Sequence, residues 1–350
     1  MKNQTKKGYL INTIAIVVLF AALMILTSGG KKAIIDPYIQ GVLLLSCINI
    51  ILVASLNVTT GFLGQIALGH AGFMSIGAYS AALFVKALQE GGIPLIEKST
   101  VYPAGYAAFL VSLLVGGLVA AIFGLLVGIP ALRLKGDYLA IITLGFGEII
   151  RVVIENLSFT GGAQGLRSIP KLAKLPVVFW VTVVCVVIIF TFIRSRHGRA
   201  IIAIREDDIA SEASGINNTY YKVLAFTFAA FFAGIAGAIY GQYYAVLGAS
   251  TFNFMKSIDI LVMVVLGGMG SITGSIVAAI GLTFLPEMLR TFADYRMVIY
   301  SVALILVMIF KPSGLLGRYE FSLTRVIDRI TGKGGPKPQK KQKQKGGAKV

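Results

Sequence analysis

The chain has 350 residues, of which 56% are hydrophobic and only 13% charged, and its formal net charge is +17. A soluble surface of this size needs far more charge, so the composition excludes a soluble globular protein. The basic excess is concentrated in the stretch from Lys311 onward, which holds eleven Lys and Arg against two acids. No nucleic-acid-reading motif accompanies it, so a basic segment beside a membrane helix is the better interpretation.

Apolar blocks follow one another along the whole chain. A helix needs roughly 20 residues to cross a bilayer core, and the blocks do not alternate polar with apolar residues as β-barrel strands do. The sequence therefore predicts an all-α, polytopic membrane helix bundle. We expect the first block to remain as an uncleaved helix, because it is longer than a signal-peptide core. The nine blocks are 10–26, 38–58, 61–88, 104–129, 138–154, 176–193, 223–246, 257–289 and 297–310.

Charge placement predicts the topology. Basic residues at both ends should face the cytoplasm, so the number of crossings should be even. Block 257–289 is too long for one crossing and is interrupted by Gly267, Gly268, Gly270 and Ser271, so we expect two short passes and ten crossings in all. Residues 1–320 are then a transmembrane domain with a cytoplasmic loop at 195–222. Residues 321–350 are predicted to be a basic, disordered cytoplasmic tail.

Two of the blocks are unusually rich in glycine, one in each half of the chain. Paired broken segments are typical of transport paths in proteins built from an internal repeat of two halves, which is the expected architecture. Close helix packing is the alternative explanation, although it accounts less well for polar side chains at membrane depth. His70 taken alone is better explained as a hydrogen-bonded structural residue. The predicted path residues here are Gly61, Gly64, Gln65, Gly69, His70, Ser75, Gly267, Gly268, Gly270 and Ser271.

The loop at 195–222 carries a helical pattern of apolar residues. Ile201, Ile204, Ile209, Ala213 and Ile216 recur near helical spacing, which predicts one amphipathic helix over 200–216 that ends near the stop residue Gly215. Such a helix can dock in the groove of a cytoplasmic protein, or it can simply be a solvated connection. The residues predicted to contact a partner are Arg205, Glu206, Ala210, Glu212, Ala213 and Gly215.

Glu148 is the one acid placed well inside a block, and it could couple transport to an ion. Arg151 and Glu155 follow on roughly the same helical face, so local ion pairing is the alternative. No catalytic triad, zinc motif or paired-acid arrangement is present, and Cys47 and Cys185 lie inside apolar blocks. No G-x-x-x-x-G-K-[ST] phosphate loop occurs either, so we expect a chain that is not an enzyme and binds no cofactor.

Five stretches in order resemble the LivM-type permeases, the membrane subunits of branched-chain amino acid ABC importers. They are GFLGQIALGHAGFMSIGAYSAAL, ALRLKGDYLAIITLGFGEIIRVVIENLSFTGGAQGL, GRAIIAIREDDIASEASGI, VLGGMGSITGSIVAAIGLTFLPEMLR and FKPSGLLGRYE. The stretch SEASGI is similar to the loop through which importer permeases contact their ATPase, with Ser214 in the place of a second alanine.

The resemblance implies a division of labour. Two cytoplasmic ATPase subunits would bind ATP and Mg, a second, LivH-like permease would pair with this chain, and an external binding protein would deliver the amino acid. It also implies a multi-pass protein of a bacterial or archaeal inner membrane, in contact with lipid. The alternatives are a permease for urea or another small polar solute, and an ion-coupled secondary transporter.

Overall fold

The computed structural model describes residues 36–92, 96–97, 100–101, 103–132, 134 and 137–292, with scattered residues in 17–24 and 295–317. The fold is a helix bundle, and two two-residue strands, β1 (Ile96–Glu97) and β2 (Thr100–Val101), pair as an antiparallel hairpin. The helices are α1 (Pro37–Asn57), α2 (His70–Glu90), α3 (Pro103–Ala131), α4 (Asp137–Asn156), α5 (Leu175–Arg194), α6 (Arg196–Glu206), α7 (Asp208–Ala213), α8 (Asn218–Tyr244), α9 (Phe254–Gly267) and α10 (Ile272–Met288).

Five of these helices are long and apolar enough to cross a membrane: α1 with its continuation to Phe62, α2, α3, α5 and α8. Helix α4 is of similar length but carries more charge. Helices α9 and α10 have 14 and 17 residues, so each is shorter than a bilayer core at about 1.5 Å per residue. The predicted helical membrane bundle is confirmed. The crossing count stays a prediction, because most of blocks 10–26 and 297–310 lies outside the described residues, as do Arg133, Lys135 and the tail.

Helix α8 lies at the centre of the bundle, and glycines let its neighbours approach it closely. A side chain at Gly77 of α2 would collide with the backbone of Gly234 on α8, and one at Gly116 of α3 would come within 2.8 Å of the Gly77 carbonyl oxygen. Such contacts between backbones are possible only for glycine and account for much of its abundance here. The glycines of block 61–88 that lie inside α2 therefore serve helix packing.

Both predicted breaks are present. Residues 268–271 separate α9 from α10, as the split of block 257–289 predicted. The first break lies at residues 63–69, where α1 has continued through a π-helical turn, Val58–Phe62, and α2 has not yet begun. Gly64, Gly268 and Gly270 have φ values of +78°, +111° and +89°, which side chains rarely adopt. The first break thus falls at the start of block 61–88 and leaves α2 continuous.

The prediction of one helix over 200–216 is wrong in its continuity. The chain forms α6 and α7 with a sharp turn between them, because Asp207 leaves the helical region at φ −158° and its carboxylate caps the amides of Ile209 and Ala210. The turn rotates the apolar pattern, so Ile201 and Ile204 are buried whereas Ile209 is 80% exposed. Helix α7 ends one residue before Ser214, and Gly215 follows at φ +84°, as the stop signal predicted.

Candidate coupling and translocation site

One buried side chain at the end of α1, Asn57, holds the second break. Its amide nitrogen donates to the carbonyl oxygen of Ser271 at 3.0 Å and to the hydroxyl of Ser275 at 2.7 Å. Its amide oxygen accepts the backbone N–H of Gly270 at 2.9 Å. Backbone groups freed by a broken helix must find partners inside the protein, and here one asparagine supplies them. The predicted path residues Gly270 and Ser271 are thereby fixed against α1.

Arg205 at the end of α6 reaches the same place from the loop between α5 and α8. Its Nη1 donates to the carbonyl oxygen of Gly61. A side chain on Gly270 would lie 3.0 Å from this nitrogen, and one on Gly64 would lie 3.0 Å from Arg205 Cγ. Gly61, Gly64 and Gly270 therefore border a slot filled by the arginine. Arg205 follows Gly61 by 144 residues and precedes Gly270 by 65 residues, yet the structure brings the three together.

The second half of the first break packs against the middle of α4. Thr143 Oγ1 accepts the backbone N–H of Leu68 at 3.0 Å, and Ser257 Oγ on α9 accepts that of Ala71 at 3.0 Å. A side chain on Gly69 would collide with the carbonyl of Thr143. The N–H groups of Leu68 and Ala71, on either side of the start of α2, are in this way bonded to side chains of two neighbouring helices.

The predicted polar path residues are placed in different surroundings. His70 is buried, and its Nε2 lies 2.9 Å from the hydroxyl of Ser55 on α1, which fits the structural alternative for this histidine. Ser75 is fully buried, and among the described residues its hydroxyl has no hydrogen-bond partner. The side-chain oxygen of half-buried Gln65 is also unpartnered within that part of the chain. Gly267 packs against Gly274, and Gly268 against Gly317.

Glu148 is occupied by two structural contacts. One carboxylate oxygen accepts Arg151 Nε at 2.7 Å, and the other accepts the backbone N–H of Phe254 at 2.9 Å, where α9 begins. Arg151 also donates to Glu155 at 2.9 Å. A carboxylate at a helix N-terminus is favoured by the helix dipole. Local ion pairing, the alternative to ion coupling, is thus present, and the acid also anchors α9 to α4.

The remaining residues predicted to contact a partner lie on or beside α7. Glu206, Ala210, Glu212, Ala213 and Gly215 are all exposed, and nothing lies within 4 Å of a side chain built on Gly215. Helix α7 is nevertheless firmly attached to α8. The Asp208 carboxylate contacts Lys222 Nζ at 2.9 Å and accepts from the Asn218 amide at 2.9 Å. An ion pair and a hydrogen bond therefore join α7 to the central helix.

The described residues contain no cluster of three or more His, Cys, Asp or Glu that could hold a metal ion. Cys47 and Cys185 are buried and unpaired with each other. A cavity of about 490 Å³ lies between α2, α3 and α4 and has an almost entirely apolar lining that includes Phe123, Phe146 and Val153. Its residues on the outer faces of α3 and α4 are exposed, so it opens toward the surroundings of the bundle.

Sequence reasoning missed Asn57, Thr143, Ser257 and Ser275. Each is a small polar residue at the edge or inside of an apolar block, where polar groups usually face a bundle interior. That signal could have flagged Asn57 before the structure, but its partners could not be read from spacing, because they lie more than 200 residues away.

The architecture is that of a polytopic helical membrane protein with two broken segments, and the comparisons assign its family. Residues 38–310 match the family of branched-chain amino acid transport system permease components. The chain belongs to this family. It is 36% identical to the permease protein LivM of Salmonella typhimurium and of Escherichia coli, over 78% of this chain and 68% of each relative.

The chain is also similar to the LivH permease of the same kind of system. It is 27% identical to the permease protein LivH of Escherichia coli, over 74% of this chain and 88% of the relative. The match to LivM at higher identity confirms the LivM-type resemblance of the sequence. No solved structure is a significant match to this chain.

Proposed function

We propose that this chain is the membrane-spanning permease subunit of an ATP-binding-cassette importer for branched-chain or related amino acids, and that separate cytoplasmic subunits hydrolyse the ATP. The observation that carries the proposal is α7. It presents Ile209 to solvent at 80% exposure, beside exposed Ala210 and Ala213, in a loop between two membrane helices. An apolar helix face of this kind is suited to a groove in a partner protein.

The family relatives support the choice of substrate, since their names assign them to branched-chain amino acid transport. Similarity to both LivM and LivH supports a pairing of this chain with a second, LivH-like permease. An extracytoplasmic binding protein would deliver the amino acid. The loop with α6 and α7 and both chain ends then face the cytoplasm of a bacterial or archaeal cell. The exposed apolar faces of α3, α4 and α5 contact lipid or the second permease.

In the proposed mechanism, the ATPase subunits move α7 as they bind and hydrolyse ATP. The Asp208 contacts pass this motion to α8, the central helix of the bundle. The two breaks beside α6 then change their packing and open the path to one side of the membrane at a time. Glu148 contacts Arg151 and the start of α9, which supports a structural role for this acid over the ion-coupled alternative.

The test is partner capture by the full transporter, purified through a tag on this chain. Ala213→Glu on α7 and Gly215→Val just after it enlarge this exposed surface and should stop the ATPase subunits from co-purifying, while this chain stays in the membrane. The matched control is Gly92→Val, since Gly92 also has φ +84° and open space around it but lies in a different loop. Normal capture and uptake with both α7 variants would refute the docking role.

A further inference from the structure

The Arg205 side chain lies against backbone positions that are occupied by glycine. Gly64 and Gly270 hold φ values of +78° and +89°, and a side chain on either would come within 3.0 Å of the arginine. A side chain on Gly61 would collide with the Asn57 amide. Gly64 in the first break and Gly270 in the second therefore both border the Arg205 side chain, and a larger residue at either position would crowd it.

The electrostatics of the slot favour an arginine. The carbonyl of Gly61, which accepts from Arg205, lies in the last turn of the continuous helix formed by α1 and its π-turn. The C-terminal end of a helix carries a partial negative charge, which a cation stabilises. A planar guanidinium can donate to one carbonyl and still lie flat beside a second backbone segment, which an ammonium group cannot do equally well.

The contacts of Arg205 form a short connection between three elements. Arg205 lies at the end of α6, two residues before Asp207 at the turn into α7, and donates to Gly61 in the π-turn that precedes the first break. Asn57, one turn earlier in α1, holds Gly270 and Ser271 of the second break. Arg205 thus lies between the turn into α7 and both breaks, since it borders Gly64 of the first and Gly270 of the second.

We propose that Arg205 is a positioning residue that couples the movement of α7 to both breaks, and that it does so from inside the bundle rather than by contacting the ATPase. The proposal rests on the proposed function, because it assigns the route by which ATP-driven movement reaches the transport path. It divides the 195–222 loop into an outer part, α7, that binds the partner, and an inner part, Arg205, that transmits the movement.

The experiment compares Arg205→Met, Arg205→Lys and the control Arg199→Met in the full transporter, reconstituted in vesicles with its ATPase subunits, second permease and binding protein. Arg199 lies on the same helix, is exposed and donates only to the Arg194 carbonyl among the contacts described. Three quantities are measured: co-purification of the ATPase, the ATP hydrolysis rate, and branched-chain amino acid molecules taken up per ATP hydrolysed.

Arg205→Met should keep ATPase capture and hydrolysis but lower uptake per ATP at least about tenfold, as loss of a charged hydrogen bond in the coupling step predicts. Arg205→Lys keeps the charge and serves as the second variant if Arg205→Met does not fold. Its uptake per ATP should lie between those of Arg205→Met and wild type, and that of Arg199→Met should match wild type. Wild-type uptake per ATP in both Arg205 variants would overturn the proposal. Loss of ATPase capture in Arg205→Lys would also overturn it, since that residue would then be part of the docking surface.

Failure of this proposal is distinguishable from failure of the proposed function. If the α7 variant Ala213→Glu still captures the ATPase, the docking surface is wrong whatever Arg205 does. If Ala213→Glu abolishes capture while Arg205→Met leaves uptake per ATP unchanged, the docking surface stands and the assignment of Arg205 is refuted.

Discussion

Replacement of Asn57 by Ala should destabilise the protein far more than the same replacement at Asn49. Both asparagines are buried on α1 and face α10, so the two changes remove the same atoms from the same interface. Asn49 makes one hydrogen bond, to Thr283 at 2.9 Å, and its side-chain oxygen is unpartnered among the described residues. Removal of the Asn49 side chain therefore leaves no backbone N–H or C=O without its hydrogen-bond partner.

The magnitude follows from the contacts that differ. Asn57 makes three hydrogen bonds, two more than Asn49, each worth about 1 kcal/mol. Its removal also leaves the N–H of Gly270 without its described partner, which costs a further 1 kcal/mol or so. The Ser271 carbonyl still accepts from Ser275, so it adds nothing. The expected difference in unfolding free energy between the two variants is about 3 kcal/mol.

The assay is thermal unfolding of the purified protein in detergent, followed by fluorescence-detected gel filtration. A difference of about 3 kcal/mol corresponds to a Tm lower by roughly 4 °C for Asn57→Ala than for Asn49→Ala in a chain of this length. Amide hydrogen exchange should also speed up at residues 268–271 in the first variant only. If the two variants melt within about 2 °C of each other, Asn57 does not hold the second break and the reasoning fails.

Three further outcomes are expected. Gln65→Leu should leave the Tm unchanged, because the amide oxygen has no described partner to lose, yet lower uptake at least about tenfold if this residue lines the path. Gly77→Val should abolish a monodisperse gel-filtration peak, because its side chain meets the backbone of Gly234, whereas Gly281→Ala, with nothing within 4 Å, should fold normally. Glu148→Gln should retain ATP-driven uptake within about twofold, since a partly exposed ion pair adds little stability and the acid carries no transported ion; a complete loss would contradict this.

The helices and the second break could be predicted from the sequence because both depend on local patterns. Apolar blocks of about 20 residues match the thickness of a bilayer core and so indicate membrane helices. The segment GGMGS interrupts a block that is too long for one crossing. The end of α7 before Gly215 was predictable for the same reason, since only a glycine accepts the left-handed conformation there without strain.

The arrangement of the site depended on contacts that no local pattern contains. The structure has a turn at Asp207 where a continuous amphipathic helix was predicted, because the Asp207 carboxylate caps a new helix instead of continuing the old one. The spacing of apolar residues carries no information about such a cap. Gly64 and Gly270 were predicted as path residues because their blocks are rich in glycine. Their contact with Arg205 could not be predicted in this way, because it joins segments far apart in the chain. Whether Gly61, Gly64, Gln65 and the other predicted residues touch the substrate stays a prediction.

The central claim is that separate ATPase subunits drive transport through this chain, and uptake by reconstituted vesicles tests it most directly. Vesicles that contain the complete transporter, with binding protein outside and ATP inside, are compared with vesicles that lack only the ATPase subunits. We predict uptake of a radiolabelled branched-chain amino acid in the first case, unchanged by ionophores, and none in the second. Uptake by vesicles without the ATPase subunits, driven by a proton or sodium gradient, would contradict the account.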